Sequence, residues 1–140
     1  MTQSQEFIVY GDPRGKGRPR FSFRGGYAYT DEVTLEYQGK VQKMWKSNQF
    51  YCIEGQPTEI LIRAYFRVPV SLSKKKRAAL FGTPYLHKPD CDNIAKIVLD
   101  ALNGLAYQDD RQIDKLNIKK MYVSSDDEEP RVEITIRSEG

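Results

Sequence analysis

Every second residue between Ile60 and Val68 is apolar, and this alternation constrains the fold more than any other feature of the sequence. Successive side chains of an extended strand point to opposite faces, so one face of this strand must lie against a core. Pro69 ends the run, because proline cannot donate to a sheet ladder. Such a strand needs neighbouring strands beside it and a covering layer over its apolar face.

Two segments with helical periodicity are candidates for that covering layer. Thr30, Asp31 and Glu32 offer a cap and first-turn acids for the first helix. Its apolar stripe consists of Val33, Tyr37, Val41, Met44 and Trp45. The second helix carries its stripe at Ile94, Ile97, Val98, Ala101 and Leu102. We expect the second helix to end at Asn103-Gly104, a typical C-terminal signal.

Shorter runs complete the predicted fold. They are strands at Phe7–Tyr10, Leu116–Val123 and Arg131–Arg137, and a short helix from Ser73 to Leu80. Gly25-Gly26 predicts a tight hairpin turn between Phe21–Arg24 and Tyr27–Tyr29. We therefore predict the α+β (mixed α/β) class, with a mixed β-sheet and helices packed on it, in a single domain over residues 1–140.

Composition excludes several classes of protein. The 140 residues suit one domain of about 100–150 residues, and an apolar content of 39% is too high for a disordered segment. No apolar run approaches the roughly 18 residues of a membrane span. Two cysteines and one histidine exclude a disulfide framework or a Cys/His zinc site as the basis of the fold. We therefore expect a soluble, reduced, cytoplasmic protein with no membrane partner.

The distribution of charge says more than the net charge of +3. Between Gly11 and Gly25 there are five bases against one acid, in a stretch whose glycines and prolines disfavour a helix. A second basic cluster covers residues 74–77, and an aspartate-rich segment covers residues 88–114. Basic loops beside clustered aspartates point to a polyanionic substrate and a divalent cation, whereas each run taken alone is also typical of a solvated surface.

The aspartate-rich segment opens with Lys-Pro-Asp-Cys-Asp-Asn at residues 88–93. We expect an extended backbone here, followed by the second helix, which begins near Asp92 or Asn93. In an extended run Asp90 and Asp92 point to one face and the residue between them points to the other. Lys96 then lies one helical turn beyond Asp92, on the same face. Two carboxylates and one ammonium are thus predicted at one helix N-terminus.

A second acidic pair, Asp109-Asp110, follows the turn at Asn103-Gly104. These carboxylates approach Asp90 and Asp92 only if the chain folds back along the helix. Mg²⁺ prefers a few carboxylate oxygens completed by water and phosphate oxygens, and Lys96 is placed to stabilise negative charge on a phosphate. Structural explanations also exist: a helix N-cap, an i,i+4 ion pair and an ordinary turn.

The hairpin aromatics Phe23, Tyr27 and Tyr29 have two explanations. They are able to stack on nucleic-acid bases, or they pack in the core, which is the outcome that we expect. His87 has no partner in any catalytic motif, and we expect it on a surface loop.

At these residues the sequence resembles the RusA family of Holliday junction resolvases, which are metal-dependent endonucleases of bacteria and their phages. The resemblance rests on residues 88–93, Lys96, Leu-Asp-Ala-Leu-Asn-Gly at 99–104, and Tyr-Gln-Asp-Asp-Arg-Gln-Ile at 107–113. Residues 16–21, Lys-Gly-Arg-Pro-Arg-Phe, resemble the N-terminal segment of the family. Order and spacing agree over about residues 8–137, almost the whole chain.

The resemblance implies a homodimer with a mixed sheet and helices that resolves four-way DNA junctions by paired symmetric cuts in recombination and repair. It implies essential metal-binding aspartates at Asp90, Asp92 and Asp110, the last favoured over its neighbour Asp109. The lysine of the family falls on Lys96. The implied metal is Mg²⁺, with Mn²⁺ as the alternative because both ions favour oxygen ligands.

A DNA substrate makes the basic residues candidate contacts to its backbone. These are Lys16, Arg18 and Arg20, with Lys74, Lys75, Lys76 and Arg77 as a weaker group. Two other functions fit the same residues. A non-catalytic DNA-binding protein on the same fold needs the bases but not the acids. A nuclease for flaps or other branched DNA differs in dimer geometry and loop shape rather than in these side chains.

Overall fold

The computed structural model describes residues 2–17 and 20–139. Its main sheet has four strands in the spatial order β1 (Thr2–Tyr10), β6 (Arg131–Glu139), β4 (Thr58–Phe66) and β5 (Ile113–Tyr122). Strand β6 is antiparallel to both β1 and β4, whereas β4 and β5 are parallel. The mixed sheet and the α+β class are therefore confirmed.

One face of the sheet is covered by helices. The predicted alternation in β4 is confirmed, because Ile60, Ile62 and Ala64 are fully buried while the residues between them are only half-buried. Helices α1 (Glu32–Ser47) and α3 (Cys91–Leu102) contact each other and contribute their buried residues to the same core. The short helix α2 (Lys74–Leu80) begins after Ser73, as predicted, and has no buried residue.

Helix α1 begins after Asp31, whose carboxylate accepts a hydrogen bond from the backbone N–H of Thr34 at 2.8 Å. Tyr37, Val41 and Trp45 are buried as predicted. The expectation that Val33 belongs to the buried stripe is wrong, since its side chain is 56% exposed. Thr34 takes the buried place instead, because its hydroxyl has partners there and needs no water.

Two expectations about the hairpin are wrong. The hairpin consists of β2 (Arg20–Ser22) and β3 (Tyr27–Tyr29), which form a separate two-stranded sheet. Ser22 pairs with Tyr27, so four residues and not two connect the strands. Its aromatic residues do not pack in the core: Phe23, Tyr27 and Tyr29 are all exposed. Among the described residues, no helix has the length and apolar character needed to cross a membrane.

Candidate active site

Helix α3 carries the predicted aspartates and starts earlier than expected. Its stripe of apolar residues from Ile94 to Leu102 is buried, as predicted. The helix begins at Cys91, one residue before the predicted start near Asp92 or Asn93. Asp90 is therefore the N-cap, with extended backbone at φ −72° and ψ 156°, and Asp92 already lies in the first turn. Aspartate favours the N-cap position, and here the first aspartate of the motif occupies it.

The carboxylate of Asp90 makes no capping hydrogen bond, unlike the side chains at three other helix starts. Asp31 accepts from Thr34, Ser73 accepts from Lys76, and Asp109 accepts from Arg111. An N-cap side chain normally satisfies one of the first backbone N–H groups of its helix. Asp90 is exposed and has no capping partner in the described part of the chain, so its carboxylate is available to another ligand.

Asp92, Lys96 and Asp100 form an exposed stripe along α3 at spacings of four residues. The structural alternative for the first two, an i,i+4 ion pair, is not present among the described residues. Within residues 2–17 and 20–139, neither Asp92 nor Lys96 has an ionic partner. Asp100, in contrast, pairs with the ammonium group of Lys16 at 2.6 Å.

The glycine-rich loop before the hairpin packs against the start of α3. The backbone N–H of Lys16 donates to the carbonyl oxygen of Asn93 at 2.9 Å. Gly15 permits this approach, because a Cβ there would lie 2.7 Å from Cβ of Pro89 and 3.1 Å from Cβ of Asn93. A groove of about 420 Å³ results, lined by Gly15, Lys16, Lys88, Pro89, Asp90 and Asn93. Two lysines thus share a groove with the free carboxylate.

The segment before Asp90 is fixed by the edge of β5. The ammonium group of Lys120 donates to the carbonyl oxygens of His87 at 2.7 Å and Pro89 at 2.9 Å. The ring of Tyr85 stacks on Phe66 with centroids 3.7 Å apart. His87 itself is exposed, as expected. Lys120 is a positioning residue, because it holds the backbone that presents Asp90.

Asp109 and Asp110 lie at a 3₁₀ turn, residues Asp110–Gln112, immediately before β5. Gln112 closes this turn in a capping box with Asp109. The side-chain hydrogen bond with Asp109, together with the charges of Asp109 and Asp100, raises the pKa of Asp110. The backbone N–H of Arg111, followed by the hydrogen bond with Asp110, lowers the pKa of Asp109. Crowded carboxylates of this kind are stabilised when a cation neutralises them.

The basic side chains predicted to contact DNA differ in whether they already have an ionic partner in the protein. Lys74, Lys75 and Lys76 are exposed on α2. Arg77 is engaged, since its guanidinium donates to both carboxylate oxygens of Asp126, at 2.5 and 2.9 Å. Lys16 is engaged with Asp100. Arg18 and the side chain of Arg20 lie outside the described part of the chain.

Comparison with known proteins decides the family. Residues 10–137 match the family described as Endodeoxyribonuclease RusA, which is most of the chain. The chain belongs to the RusA family. It is also 38% identical, over 138 residues and 94% of each chain, to a protein of Bacillus subtilis (strain 168) called "Uncharacterized protein YqaN". The description of the family as endodeoxyribonucleases supports a nuclease activity on DNA.

The RusA resemblance implied one cluster of three aspartates, and the structure presents two acidic groups. Within residues 2–17 and 20–139, no three metal-binding side chains are close enough to hold an ion by themselves. Mg²⁺ does not need such a cage, because one or two carboxylates with water and substrate phosphates usually suffice. Asp90 and Asp92 are exposed and have no ionic partner among the residues described, so they fit that requirement. Completion of the site by Asp110 stays a prediction.

Several residues of this RusA site escaped the sequence analysis. Lys88 lines the groove beside Asp90, Asp100 holds Lys16, and Lys120 fixes the backbone before Asp90. The run of residues 88–93 contained a signal for Lys88, since a base directly before the motif has the right charge for a phosphate. Lys120 carried no local signal, because its role depends on the sheet edge that brings it beside residues distant in sequence.

Proposed function

We propose that this protein is a Mg²⁺-dependent, structure-selective DNA endonuclease that resolves four-way junctions. It acts in the cytoplasm, in recombination and repair, by paired symmetric hydrolysis of two phosphodiester bonds. Two equivalent phosphates on opposing strands need two active sites related by a two-fold axis, so the working form is a homodimer. Membership of the RusA family supports the nuclease activity.

The free carboxylate of Asp90 is the observation that carries this proposal. An N-cap aspartate that only stabilised its helix would bond to the first turn, as Asp31 does in α1. Asp90 instead faces a groove that Lys16 and Lys88 also line. A phosphate held by these lysines would place its oxygens beside a carboxylate that is available to a cation.

Each residue of the site has a specific part in this mechanism. Asp90 and Asp92 would hold the ion, and Asp110, supported by Asp109, would supply the third carboxylate. When bound, Mg²⁺ polarises the scissile phosphate and lowers the pKa of a coordinated water. Lys96 would stabilise the negative charge that develops on the phosphate. Its ammonium has no ionic partner among the described residues, so it is available for this role.

Cleavage of a labelled synthetic four-way junction tests the proposal, with linear duplex of the same sequence as the control. We expect paired nicks in the junction only, with Mg²⁺ present and none in EDTA. Tight junction binding with no cleavage in Mg²⁺ or Mn²⁺ would contradict nuclease activity and favour a DNA-binding protein on the same fold. Faster cleavage of flaps than of four-way junctions would contradict the assigned substrate.

Junction binding should weaken steeply with salt, because lysines and arginines displace counterions from phosphates. Each phosphate contact contributes about 0.9 to the slope of log K against log salt. Replacing Lys74, Lys75 and Lys76 together by Gln should lower that slope by up to about 2.7, if each contacts one phosphate. The same three positions changed to Arg should keep the slope. Fluorescence anisotropy between 50 and 200 mM salt, about the range over which such binding collapses, measures it.

A slope near zero for the unmodified protein would contradict backbone contacts altogether. An unchanged slope in the Gln variant would remove α2 from the DNA-binding surface and leave the loop around Lys16 as the candidate.

A further inference from the structure

The hairpin of residues 20–29 exposes more aromatic surface than any folding role explains. Phe23 is 95% exposed, Tyr27 58%, Phe21 56% and Tyr29 44%. A two-stranded hairpin is marginally stable in water, and contiguous exposed apolar side chains mark interaction sites. The hairpin therefore has the character of an interaction site.

Both faces of this ribbon are aromatic. Phe21 pairs with Ala28, so those two residues share one face, while Tyr27 and Tyr29 lie on the other. The rings of Phe21 and Phe23 contact edge to face, with centroids 5.8 Å apart. Tyr27 and Tyr29 are similarly paired at 6.2 Å. A globular partner that covered one face would leave the other in water, whereas a ribbon inserted between two base stacks would be covered on both.

The charge of the segment selects a polyanion as its partner. Residues 13–30 contain four arginines and one lysine and no acidic residue. Two such segments from two copies of the chain would repel each other, which disfavours the hairpin as a contact between copies. Aromatic side chains interleaved with lysines and arginines are the combination that binds unstacked nucleic acid. The aromatic rings stack on the nucleobases, and the cationic side chains contact the phosphates.

The hairpin also lies next to the candidate active site along the chain. Gly17 donates its N–H to the hydroxyl of Thr34 at 3.0 Å, and Lys16 donates to Asn93 in the first turn of α3. Phe23 lies six positions beyond Gly17, which is at most about 22 Å of extended chain. That length corresponds to about six nucleotide steps of 3.4 Å. One DNA molecule can therefore contact both Asp90 and Phe23.

We propose that the hairpin is a wedge whose Phe23 stacks on an unpaired or unstacked base at the branch point of the DNA, with Phe21 packed against it and Tyr27 and Tyr29 facing the opposite stack. The wedge rests on the proposed endonuclease function and extends it to the recognition of branched DNA. Linear duplex offers no opened stack, so the wedge adds affinity only for a branch.

Binding in EDTA of a four-way junction and of linear duplex, each followed by anisotropy, tests the wedge without cleavage. Stacking contributes about 1–3 kcal/mol per base, so Phe23→Ala should weaken junction binding by about 5- to 140-fold. Duplex binding should change less than about twofold, since no ring is inserted there. Phe23→Trp should keep the junction affinity. The matched control is Val70→Ala, which removes another exposed apolar side chain, 79% exposed and outside the hairpin.

Unchanged junction affinity in Phe23→Ala, or no junction binding by the unmodified protein, would overturn the wedge. Sedimentation of the unmodified protein and of Phe23→Ala tests whether the hairpin instead contacts a second copy of the chain. If Phe23→Ala dissociates a dimer and weakens the binding of duplex and junction equally, the hairpin is a contact between copies and the wedge is overturned. Cleavage in Mg²⁺ is scored separately. Junction binding that depends on Phe23, without any cleavage, would support the wedge and contradict the endonuclease function. Cleavage that is unchanged in Phe23→Ala would support the endonuclease function and contradict the wedge.

Discussion

Asp90→Asn should abolish cleavage of a four-way junction while the variant still binds that junction. Asparagine is as good an N-cap as aspartate, and Asp90 makes no capping bond that could be lost, so α3 should remain intact. Losing a metal-binding carboxylate removes several kcal/mol of transition-state stabilisation, which corresponds to a decrease in the cleavage rate of about 10³-fold or more. Single-turnover cleavage gives the rate, and anisotropy in EDTA gives the affinity.

Asp127→Asn is the matched control, because Asp127 is another exposed aspartate and lies in the turn before β6. That variant should cleave at the unmodified rate. Asp92→Asn should behave like Asp90→Asn, and equal melting temperatures would show that the loss is chemical. A rate for Asp90→Asn within tenfold of the unmodified protein would contradict the assignment of this carboxylate.

Gly15→Ala should also impair cleavage, because the new methyl group would collide with the start of α3. Its Cβ would lie 2.7 Å from Cβ of Pro89, a ring atom that cannot rotate away. The loop and the start of α3 must therefore separate, which displaces Asp90 and Lys16 relative to each other. A displacement of about 1 Å at a reacting group can cost about 10²-fold in rate. Overpacking of this kind should also lower the free energy of unfolding by about 1–3 kcal/mol.

Gly39→Ala is the control for Gly15→Ala, because the same methyl group is added where nothing lies within 4 Å. Gly39 lies inside α1, so alanine should stabilise the protein by about 1 kcal/mol there and leave cleavage unchanged. Cleavage rates measured together with urea unfolding separate the two effects. If Gly15→Ala cleaved normally and unfolded normally, the close contact between the loop and α3 would be irrelevant to the site.

Periodicity predicted the sheet and its covering helices because residues buried on one face of a strand or helix recur at a fixed spacing. The alternation from Ile60 to Val68 and the stripe from Ile94 to Leu102 both name buried faces correctly. Val33 was misassigned because helical spacing cannot tell an apolar residue from a threonine whose hydroxyl is satisfied nearby. The periodic pattern reports only the polarity of each residue type, whereas burial of a polar side chain depends on whether its own hydrogen bonds are satisfied.

The candidate site was predicted in composition but not in arrangement. The motif named Asp90, Asp92 and Lys96, but the start of α3 depended on which residue of the motif serves as the cap. Contacts between distant segments, such as Lys120 with Pro89, have no signature in a local pattern. The prediction that the hairpin aromatics are buried was wrong for another reason. Aromatic residues were expected in the core, although a partner outside the chain can cover them equally well.

The ion pair between Lys16 and Asp100 would compete with the phosphate contact proposed for Lys16. Its 2.6 Å contact has to open before the ammonium group meets a phosphate, and an exposed pair of this kind stabilises by only about 0–1 kcal/mol. If Lys16 contacts a phosphate as proposed, opening this pair lowers the affinity for every DNA, branched or linear, by the same small amount. Asp100 would therefore shorten the lifetime of the complex on any DNA without changing which DNA is preferred.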